Sequence, residues 1–137
     1  MKNPGNILVL SSPSGGGKSS IIKRVLKRVP RLTLSTSHTS RPPRPGEKDG
    51  REYHFVSRPR FLEMQKNGDF VESVRLHGHH YGTSRHELDR LTAGGKDILL
   101  DIDVRGAKNV LKIYPRTVTV FILPPSLDVL EERLRRR

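Results

Sequence analysis

The strongest constraint on the fold is a short apolar run that leads directly into a glycine-rich loop. Residues 7–10 are continuously apolar, and the segment SSPSGGGKSS follows them. A run of this length is typical of a buried strand. Beyond the loop, apolar residues recur at helical spacing as far as Val29, and Pro30 then ends the pattern. The sequence therefore predicts a strand, a glycine loop and a helix in immediate succession.

This succession is typical of a phosphate-binding loop with the pattern G-x-x-x-x-G-K-[ST]. Gly17, Lys18 and Ser19 match the pattern, and Ser12 stands where its first glycine is expected. Glycines let backbone N–H groups point at phosphate oxygens, the lysine neutralises their charge, and the serine hydroxyl can bind Mg²⁺. The alternative is a flexible glycine turn with an exposed lysine.

The remaining sequence predicts an α/β protein in which strands and helices alternate outside one strand-rich insert. Strands are predicted at residues 97–103 and 117–123, and helices at 58–69, 84–95, 104–114 and 126–137. Ser84 and Ser126 are the expected caps of the second and fourth of these helices. Within the insert, at about residues 33–83, extended segments are predicted at 31–40 and 51–57, followed by two short strands around a turn at 77–80. Alternating strands and helices are typical of a parallel core sheet.

Two aspartates lie at the end of the predicted strand 97–103. Asp101 and Asp103 would emerge at the carboxyl edge of the sheet, where ligands of such sheets bind. Either one is therefore a candidate for organising Mg²⁺ beside the phosphate loop. The alternative is that both aspartates cap the helix that starts at Val104.

A second anion site is predicted in the proline-rich segment SRPPRPGEKDGR. Arg41 and Arg44 are held apart there at little entropic cost, so that both can bind one phosphate. Further hydrogen bonds to that phosphate are available from hydroxyl groups at Ser37, Thr39, Ser40, Tyr53 and Tyr81. The alternative is a solvated basic loop.

An acidic residue in an otherwise basic protein is a candidate for base recognition. Glu72 follows an aromatic and an aliphatic residue. A carboxylate in such a setting can accept two hydrogen bonds from guanine, one from N1–H and one from the N2 amino group. Adenine offers no such pair of donors. Thr83 or Ser84, with Asp103, could complete the recognition, although a glutamate is more often a surface residue.

Composition limits the classes of protein that remain. The net charge is +12, from 26 Lys and Arg against 14 Asp and Glu, which favours anionic partners, although such an excess is most often a solubilising surface. The sequence contains no cysteine, which excludes disulfides and thiol catalysis. No apolar run approaches the ~20 residues that span a membrane, so a soluble, cytoplasmic protein is expected.

Taken together, these segments resemble the guanylate kinase family. The resemblance spans essentially the whole chain in order, and its most specific parts are the arginine–proline loop and the motif YGTS. The matching segments are SSPSGGGKSS, SHTSRPPRPGEKDGREYHFVS, GDFVES, GHHYGTS, DILLDIDVRGA and VFILPPSLDVLEERLRRR.

The resemblance implies a P-loop nucleoside monophosphate kinase-like α/β fold with a parallel core sheet, flanking helices and a mixed, β-rich GMP-binding insert. It implies a core at about residues 1–32 and 84–126, a GMP-binding subdomain at about 33–83, and the start of a mobile lid at 127–137, within which the chain ends. It also implies phosphoryl transfer from ATP to GMP with Mg²⁺, by a monomer or homodimer. The nucleotide dGMP is a further candidate substrate, and neither nucleic acid nor a membrane is expected as a partner.

The same resemblance implies roles for individual residues. The ATP phosphates would be bound by Ser14, Gly15, Gly16, Gly17, Lys18, Ser19 and Ser20. The site for the GMP phosphate would comprise Ser37, Arg41, Arg44, Glu47, Tyr53 and Tyr81, and that for guanine Glu72, Thr83 and Asp103. Mg²⁺ would be held by Ser19 and Asp101, and catalytic charge would come from Lys18, Arg41, Arg133 and Arg137.

Two positions depart from the family pattern, namely Ser12 in the glycine loop and Arg105, where the family usually has glutamine. Three other functions are weighed: a catalytically inactive module of this fold that binds a phosphoprotein, a P-loop kinase of a phosphorylated sugar, and general nucleic-acid binding. The presence of both phosphate sites disfavours the module, and Glu72 with Thr83 disfavours the sugar kinase. Two nucleotides with several phosphates already account for the basic charge.

Overall fold

The computed structural model describes residues 3–13 and 18–136 and confirms the α/β class. Its strands are β1 (Ile7–Ser11), β2 (Leu32–Leu34), β3 (His38–Thr39), β4 (His54–Phe55), β5 (Phe70–Leu76), β6 (His79–Ser84), β7 (Asp97–Asp101) and β8 (Val118–Phe121). Its helices are α1 (Lys18–Arg28), α2 (Arg58–Lys66), α3 (Arg85–Ala93), α4 (Val104–Ile113) and α5 (Leu127–Arg135).

Four of these strands form a core sheet in the order β2-β7-β1-β8, and every pairing in it is parallel. In register, Leu8 lies opposite Leu99 on one side and opposite Val118 on the other. Because the strands run in the same direction, their carboxyl ends meet at one edge of the sheet. Ser11 and Asp101 lie at that edge.

Helices cover both faces of the core sheet and create two apolar clusters. Successive side chains of a strand point to opposite faces, so Val9 belongs to one cluster and Leu10 to the other. The first cluster also contains Leu88 of α3 and Val110 of α4, and the second contains Ile22 of α1. Burial on both faces explains why residues 7–10 of β1 and 98–100 of β7 are continuously apolar rather than alternating.

The other four strands form a second, mixed sheet, the insert sheet, in the order β4-β3-β6-β5. The β3–β4 pair is parallel, whereas β6 pairs antiparallel with β3 and with β5. The β5–β6 hairpin turns at His77 and Gly78, whose φ angles of 50° and 79° are both positive, as a tight type I′ turn requires. Helix α2 packs against this sheet through the buried Phe61, whose ring stacks on Phe70 with 4.5 Å between centroids.

Three predicted strands are shorter than expected or interrupted. The segment 31–40 divides into β2 in the core sheet and β3 in the insert sheet. The segment 51–57 contributes only β4, because a turn precedes it. The strand predicted at 97–103 ends at Asp101, because Asp103 leaves the sheet and caps α4.

The outer strand β8 and the helix α5 are largely exposed. Within the described residues β8 pairs with β1 alone, and Val118, Val120 and Phe121 are all exposed. Helix α5 begins after its cap Ser126, as the sequence predicts, but none of its described residues is buried, and Leu127 is 82% exposed. No helix in the described ranges is long and apolar enough to cross a membrane.

Candidate functional site

The carboxyl edge of the core sheet holds an ion pair. Lys18 is the first residue of α1 and Asp101 is the last residue of β7. The Nζ atom of Lys18 lies 2.5 Å from Oδ1 of Asp101, and the aspartate side chain is 41% exposed. The cation predicted for the phosphate loop and one acid predicted for Mg²⁺ are therefore direct neighbours.

This edge suits a magnesium ion that takes most of its ligands from a substrate. Among the described residues, no three His, Asp or Glu side chains form a group that could hold a metal. Mg²⁺ commonly binds through one or two carboxylates together with substrate phosphates and water. Asp101 at the edge and Ser19 in the first turn of α1 offer such a partial set of ligands.

A serine without a predicted role fixes the same edge. Ser11 ends β1 and is buried, and its hydroxyl donates a 2.7 Å hydrogen bond to the carbonyl oxygen of Ile102. Ile102 stands between Asp101 and Asp103 in the chain, so the bond ties the end of β1 to the segment that carries both aspartates. The available sequence signal was a hydroxyl residue at the end of a strand, a residue type that often bonds to a neighbouring backbone group.

A buried arginine lies at the centre of the predicted anion site. Arg41 is 8% exposed, and its Nη1 and Nη2 atoms donate to the two carboxylate oxygens of Glu47 at 2.9 and 3.1 Å. Nη1 also donates to the carbonyl oxygen of Pro42. These contacts use three of the five guanidinium hydrogens. The remaining two hydrogens are on Nε and Nη2 and form a second edge of the guanidinium, for which the Tyr81 hydroxyl is a further hydrogen-bond partner.

The carboxylate of Glu47 is held in its charged form. The side-chain hydrogen bonds from Arg41, followed by the bond from the backbone N–H of Arg44, lower the pKa of Glu47 to about 2. The Arg44 bond measures 2.7 Å from its nitrogen to Oε1 of Glu47. In turn, the hydrogen bonds that Arg41 donates to Glu47, and the weaker contribution of the Tyr81 hydroxyl, raise the pKa of Arg41. The guanidinium is therefore charged and oriented before any ligand arrives.

Hydroxyl groups fix the loop that carries Arg41. Thr39 is fully buried, and its Oγ1 donates to the carbonyl oxygen of His80 at 2.9 Å and accepts from the backbone N–H of Arg41 at 3.1 Å. The hydroxyl of Ser40 accepts from the backbone N–H of His80 at 2.9 Å. Two hydroxyls predicted as phosphate donors thus bond the arginine loop to β6 instead.

Aromatic rings surround the same guanidinium. The Cζ atom of Arg41 lies 5.3 Å from the ring centroid of Tyr53 and 5.8 Å from that of Phe55. The rings of Tyr53 and Tyr81 meet edge to face, with centroids 5.7 Å apart. Contacts between a cation and ring faces restrict the orientation of the guanidinium. Both tyrosines therefore share the Arg41 site, as the sequence predicts.

A buried glutamate forms a second recognition point. Glu72 of β5 is 8% exposed, and its Oε1 accepts a 2.6 Å hydrogen bond from the hydroxyl of Thr83 in β6. Burial raises the pKa of this carboxyl, the Thr83 bond opposes the rise, and the charge of Asp103 adds to it. The composition-based expectation that Glu72 is a surface residue is wrong, because β6 and α4 pack around it.

The second oxygen of Glu72 faces the amino terminus of α4. A Cβ atom at position 106 would come within 3.0 Å of Glu72 Oε2, so Gly106 leaves room for the carboxylate. Asp103 caps the same helix, since its Oδ1 accepts from the backbone N–H of Gly106 at 2.8 Å. The capping alternative is therefore confirmed for Asp103, whereas Asp101 pairs with Lys18.

The predicted site residues fall into three groups and a remainder. The groups are Lys18 with Asp101; Arg41 with Glu47, Tyr53 and Tyr81; and Glu72 with Thr83 and Asp103. Arg44 joins the second group through its backbone N–H, and the carbonyl oxygen of Ser37 accepts from the backbone N–H of His54. Ser19 and Ser20 lie in α1 and Arg133 in α5. Residues 14–17 and Arg137 lie outside the described residues.

Comparison with known proteins gives one consistent result. A family model described as guanylate kinase matches residues 4–137. The chain is 49% identical over 134 residues to a guanylate kinase of Aromatoleum aromaticum, covering 98% of this chain and 66% of the relative. It is 46% identical over 133 residues to one of Methylobacillus flagellatus, covering 97% of this chain and again 66% of the relative.

A solved structure supports the same relationship. The crystal structure of guanylate kinase from Anaplasma phagocytophilum matches with a TM-score of 0.75 and 38% sequence identity, covering 96% of this chain and 67% of that chain. The chain thus spans about two thirds of the length of the relatives that it matches. The parallel core sheet with its mixed insert sheet is accordingly the fold of a P-loop nucleoside monophosphate kinase.

Proposed function

Because the chain belongs to the guanylate kinase family, we propose that it transfers the γ-phosphoryl group of ATP to GMP and so forms ADP and GDP. The observation that carries this proposal is the buried carboxyl of Glu72 beside Thr83. A buried carboxylate costs free energy unless hydrogen-bond donors surround it. The guanine edge would bring two such donors, N1–H and the N2 amino group.

The same carboxylate gives a physical basis for selecting guanine over adenine. Adenine has an acceptor at N1 and no amino group at C2, so it would place a lone pair against the carboxylate and leave one oxygen unpaired. A site built to pair with a substrate donor strongly rejects an analogue that lacks the donor. Thr83, which holds Oε1, and Asp103, which contributes its charge nearby, support the orientation of this carboxylate.

The phosphate of GMP would bind at the second edge of the Arg41 guanidinium. Glu47 occupies the first edge, and the Nε and Nη2 hydrogens of the second edge would bind phosphate oxygens together with the Tyr81 hydroxyl. Tyr53, Tyr81, Arg44 and Ser37 would complete this site. Holding the phosphate and the base at two separate points would fix the attacking oxygen, and such positioning is a large part of catalysis in phosphoryl transfer.

The phosphates of ATP would bind at the carboxyl edge of the core sheet. Lys18 would exchange its contact with Asp101 for phosphate oxygens, and backbone groups of residues 14–17 would complete the phosphate loop. Asp101 and Ser19 would hold the Mg²⁺ that accompanies ATP, an ion that neutralises charge on the β- and γ-phosphate oxygens. Arg133 and Arg137 would add charge to the transferred group.

Two wider assignments belong to the same proposal. Residues of about 1–32 and 84–126 would form the ATP-binding core, about 33–83 the GMP-binding subdomain, and 127–137 the start of a lid. The two separate sheets support this division. A reaction that consumes ATP, in a chain without cysteine, fits a cytoplasmic location.

The direct test is a calorimetric titration with GMP and with AMP in the absence of ATP. We expect the parent chain to bind GMP and to bind AMP at least about tenfold more weakly. The Glu72→Gln variant should lose this preference, because the amide presents N–H donors to a guanine edge that also donates. Glu63→Gln, at a 62% exposed carboxylate of α2, is the matched control. Equal affinity of the folded parent for GMP and AMP would contradict the proposal.

A further inference from the structure

The chain passes between the core sheet and the insert sheet at two places. Residues 35–37 lead from β2 of the core sheet into β3 of the insert sheet, and we refer to them as the first crossing. Residues 84–85 lead from β6 of the insert sheet into α3, which packs on the core sheet, and form the second crossing. The relative orientation of the two sheets depends on these two short segments and on the packing of β5 of the insert sheet against α4.

The carboxylate of Glu87 connects the two crossings. Glu87 lies in the first turn of α3, immediately after the second crossing. Its Oε1 accepts a 3.0 Å hydrogen bond from the backbone N–H of Thr36, at the middle of the first crossing. Its Oε2 lies 3.1 Å from Nε2 of His54 in β4. The side chain is 13% exposed, so water competes little for these contacts.

At Thr36 the backbone hydrogen bonds of the chain change from the core sheet to the insert sheet. On one side of it, the backbone N–H of Ser35 donates to the carbonyl oxygen of Leu99 in the core sheet. On the other side, the carbonyl oxygen of Ser37 accepts from the backbone N–H of His54 in the insert sheet. Between these two bonds, the backbone N–H of Thr36 is held by Glu87. Rotation of the insert sheet about the first crossing would therefore break the Glu87 contact.

The sequence around Glu87 would ordinarily give this carboxylate another role. Ser84 and Glu87 have the S-x-x-E spacing of a capping box, in which the glutamate bonds back to the backbone N–H of the cap residue. The first half of the box is present, since the Ser84 hydroxyl accepts from the backbone N–H of Glu87 at 3.2 Å. The two carboxylate oxygens instead contact Thr36 and His54. The glutamate thus serves the junction of the sheets in addition to its helix.

The imidazole of His54 is itself held in place. The rings of His54 and His38 lie 4.6 Å apart between centroids, and His38 in turn meets the ring of Phe70. Burial, followed by the neighbouring charge of His54, lowers the pKa of His38 below its ordinary value. A fixed imidazole gives Glu87 a rigid partner in the insert sheet.

We propose that Glu87 is a positioning residue that sets the orientation of the insert sheet relative to the core sheet by joining the first crossing, the second crossing and β4. The consequence for catalysis rests on the proposed function, in which the insert sheet carries GMP and the core sheet carries ATP. Glu72, Thr83 and Arg41 all belong to the insert, whereas Lys18 and Asp101 belong to the core. Loss of the Glu87 contacts misaligns the two substrates more than it weakens either site.

The first test measures the orientation directly. The sequence contains no cysteine, so cysteines introduced at the exposed Lys66 of α2 and Lys112 of α4 can carry nitroxide labels. We expect Glu87→Ala to broaden the distance distribution between the labels about twofold, as loss of a hinge contact does. Glu87→Gln keeps an acceptor for Thr36 and should remain close to the parent. Glu63→Ala, which removes an exposed carboxylate, is the matched control and should not broaden it.

The outcomes separate positioning from simple stabilisation. An unchanged distance distribution in a folded Glu87→Ala variant, with a lower melting temperature, would overturn the proposal and show that Glu87 only stabilises the fold. Where Glu87→Ala does not fold, hydrogen exchange of the Thr36 amide in the parent and in Glu87→Gln decides the matter. The proposal requires this amide to be protected, and rapid exchange of Thr36 in the parent would overturn it.

The kinetic test distinguishes this proposal from the function on which it rests. We expect Glu87→Ala to lower kcat about tenfold while the Kd for GMP stays within about twofold of the parent. A Kd for GMP that rises by the same factor by which kcat falls would contradict a positioning role. A parent chain that binds no GMP would contradict the proposed function, whereas the distance and exchange measurements would still decide the role of Glu87.

Discussion

Two glutamates of this small protein have opposite electrostatic surroundings. Arg41 and the backbone N–H of Arg44 lower the pKa of Glu47 to about 2, so this carboxylate is charged at any physiological pH. Burial raises the pKa of Glu72, and the bond from Thr83 offsets this only in part. The first carboxylate keeps a neighbouring cation in place, whereas the second is buried and has one oxygen bonded to the hydroxyl of Thr83.

The stability of Glu72→Gln should show how much the buried, charged carboxylate of Glu72 lowers the free energy of unfolding. The carboxyl has a pKa above its unfolded value of 4.5, so the folded state loses stability as the pH rises through the range between these two values. At pH 7.5 we expect Glu72→Gln to raise the free energy of unfolding by about 1 kcal/mol, and at pH 4 to change it little. Urea denaturation at both pH values measures this. A variant that is less stable than the parent at pH 7.5 would contradict it, and Glu63→Gln should be neutral at both.

Binding of GMP should be linked to the proton of the same carboxyl. Two donors from the guanine edge favour the charged form, so the pKa of Glu72 falls when GMP binds. The affinity for GMP should therefore increase as the pH rises through the raised pKa of the free protein, and protons should be released in that range. Calorimetry in buffers of different ionisation enthalpy measures this release. Glu72→Gln is the control, because any protons that it releases on binding GMP come from groups other than Glu72, such as the GMP phosphate. If this variant releases as many protons as the parent, the release does not come from Glu72 and the prediction is wrong.

At the scale of elements, four helices are capped by a side chain at their first turn, at Ser57, Ser84, Asp103 and Ser126. A cap of this kind satisfies one of the backbone N–H groups that a helix leaves free. The hydroxyls of Ser57, Ser84 and Ser126 each accept from a backbone N–H in the first turn of their own helix. Asp103 differs, because its helix begins beside Glu72 and its charge acts on that carboxyl.

Substitutions at Asp103 should separate its two roles. Asp103→Ala should lower the free energy of unfolding by about 1 kcal/mol, whereas Asp103→Ser keeps a capping oxygen and should be nearly neutral. If Asp103 also contacts guanine, Asp103→Ser should bind GMP more weakly despite its stability. Denaturation and GMP titration on the same samples measure both effects. Ser126→Ala is the matched control, since it removes a cap of α5; a loss of GMP affinity of the same size there would refute a specific role for Asp103.

At the scale of the whole molecule, apolar surface is concentrated at one side of the core sheet. Strand β8 forms its outer edge in the described part of the chain, with Val118, Val120 and Phe121 exposed, and Leu123 and Leu127 follow. An outer strand with free backbone groups and apolar side chains can pair with a second molecule. The net charge of +12 opposes such association, most strongly at low ionic strength.

The exposed edge predicts self-association that increases with protein concentration and with salt. A charged residue on an edge strand opposes pairing, so Val120→Lys should shift the protein toward monomer. Sedimentation velocity over a range of concentrations measures this. Leu62→Lys is the matched control, because it places the same charge at an exposed apolar position of helix α2 rather than on an outer strand. An equal effect of both substitutions would show that net charge, rather than the edge, governs association.

The elements that local patterns define were predictable from the sequence. The strand and helix around the glycine loop, the caps at Ser84 and Ser126, and the parallel core sheet follow from periodicity and capping rules, and the structure confirms them. The assignments of individual residues to ATP and GMP stay predictions.

Features that depend on distant partners were not predictable. The burial of Glu72 requires β6 and α4 to pack around β5, although acids are usually exposed. The contact of Glu87 joins residues 51 positions apart, and nothing near Glu87 in the chain indicates Thr36. The cap that Asp103 forms on α4 is local by contrast, and the sequence already offered it as an alternative to a position in the strand.

The bond between Glu87 and Thr36 has a consequence for how this fold tolerates change. The bond holds the two ends of the insert side by side. The segment between them, which spans 51 positions, is therefore attached to the core sheet like a single closed loop. The entropy of closing a loop grows only slowly with its length. An insert attached in this way can lengthen, shorten or be exchanged for another segment while the core sheet keeps its structure. Under the proposed function, substrate choice and phosphoryl chemistry can therefore diverge separately within a single chain.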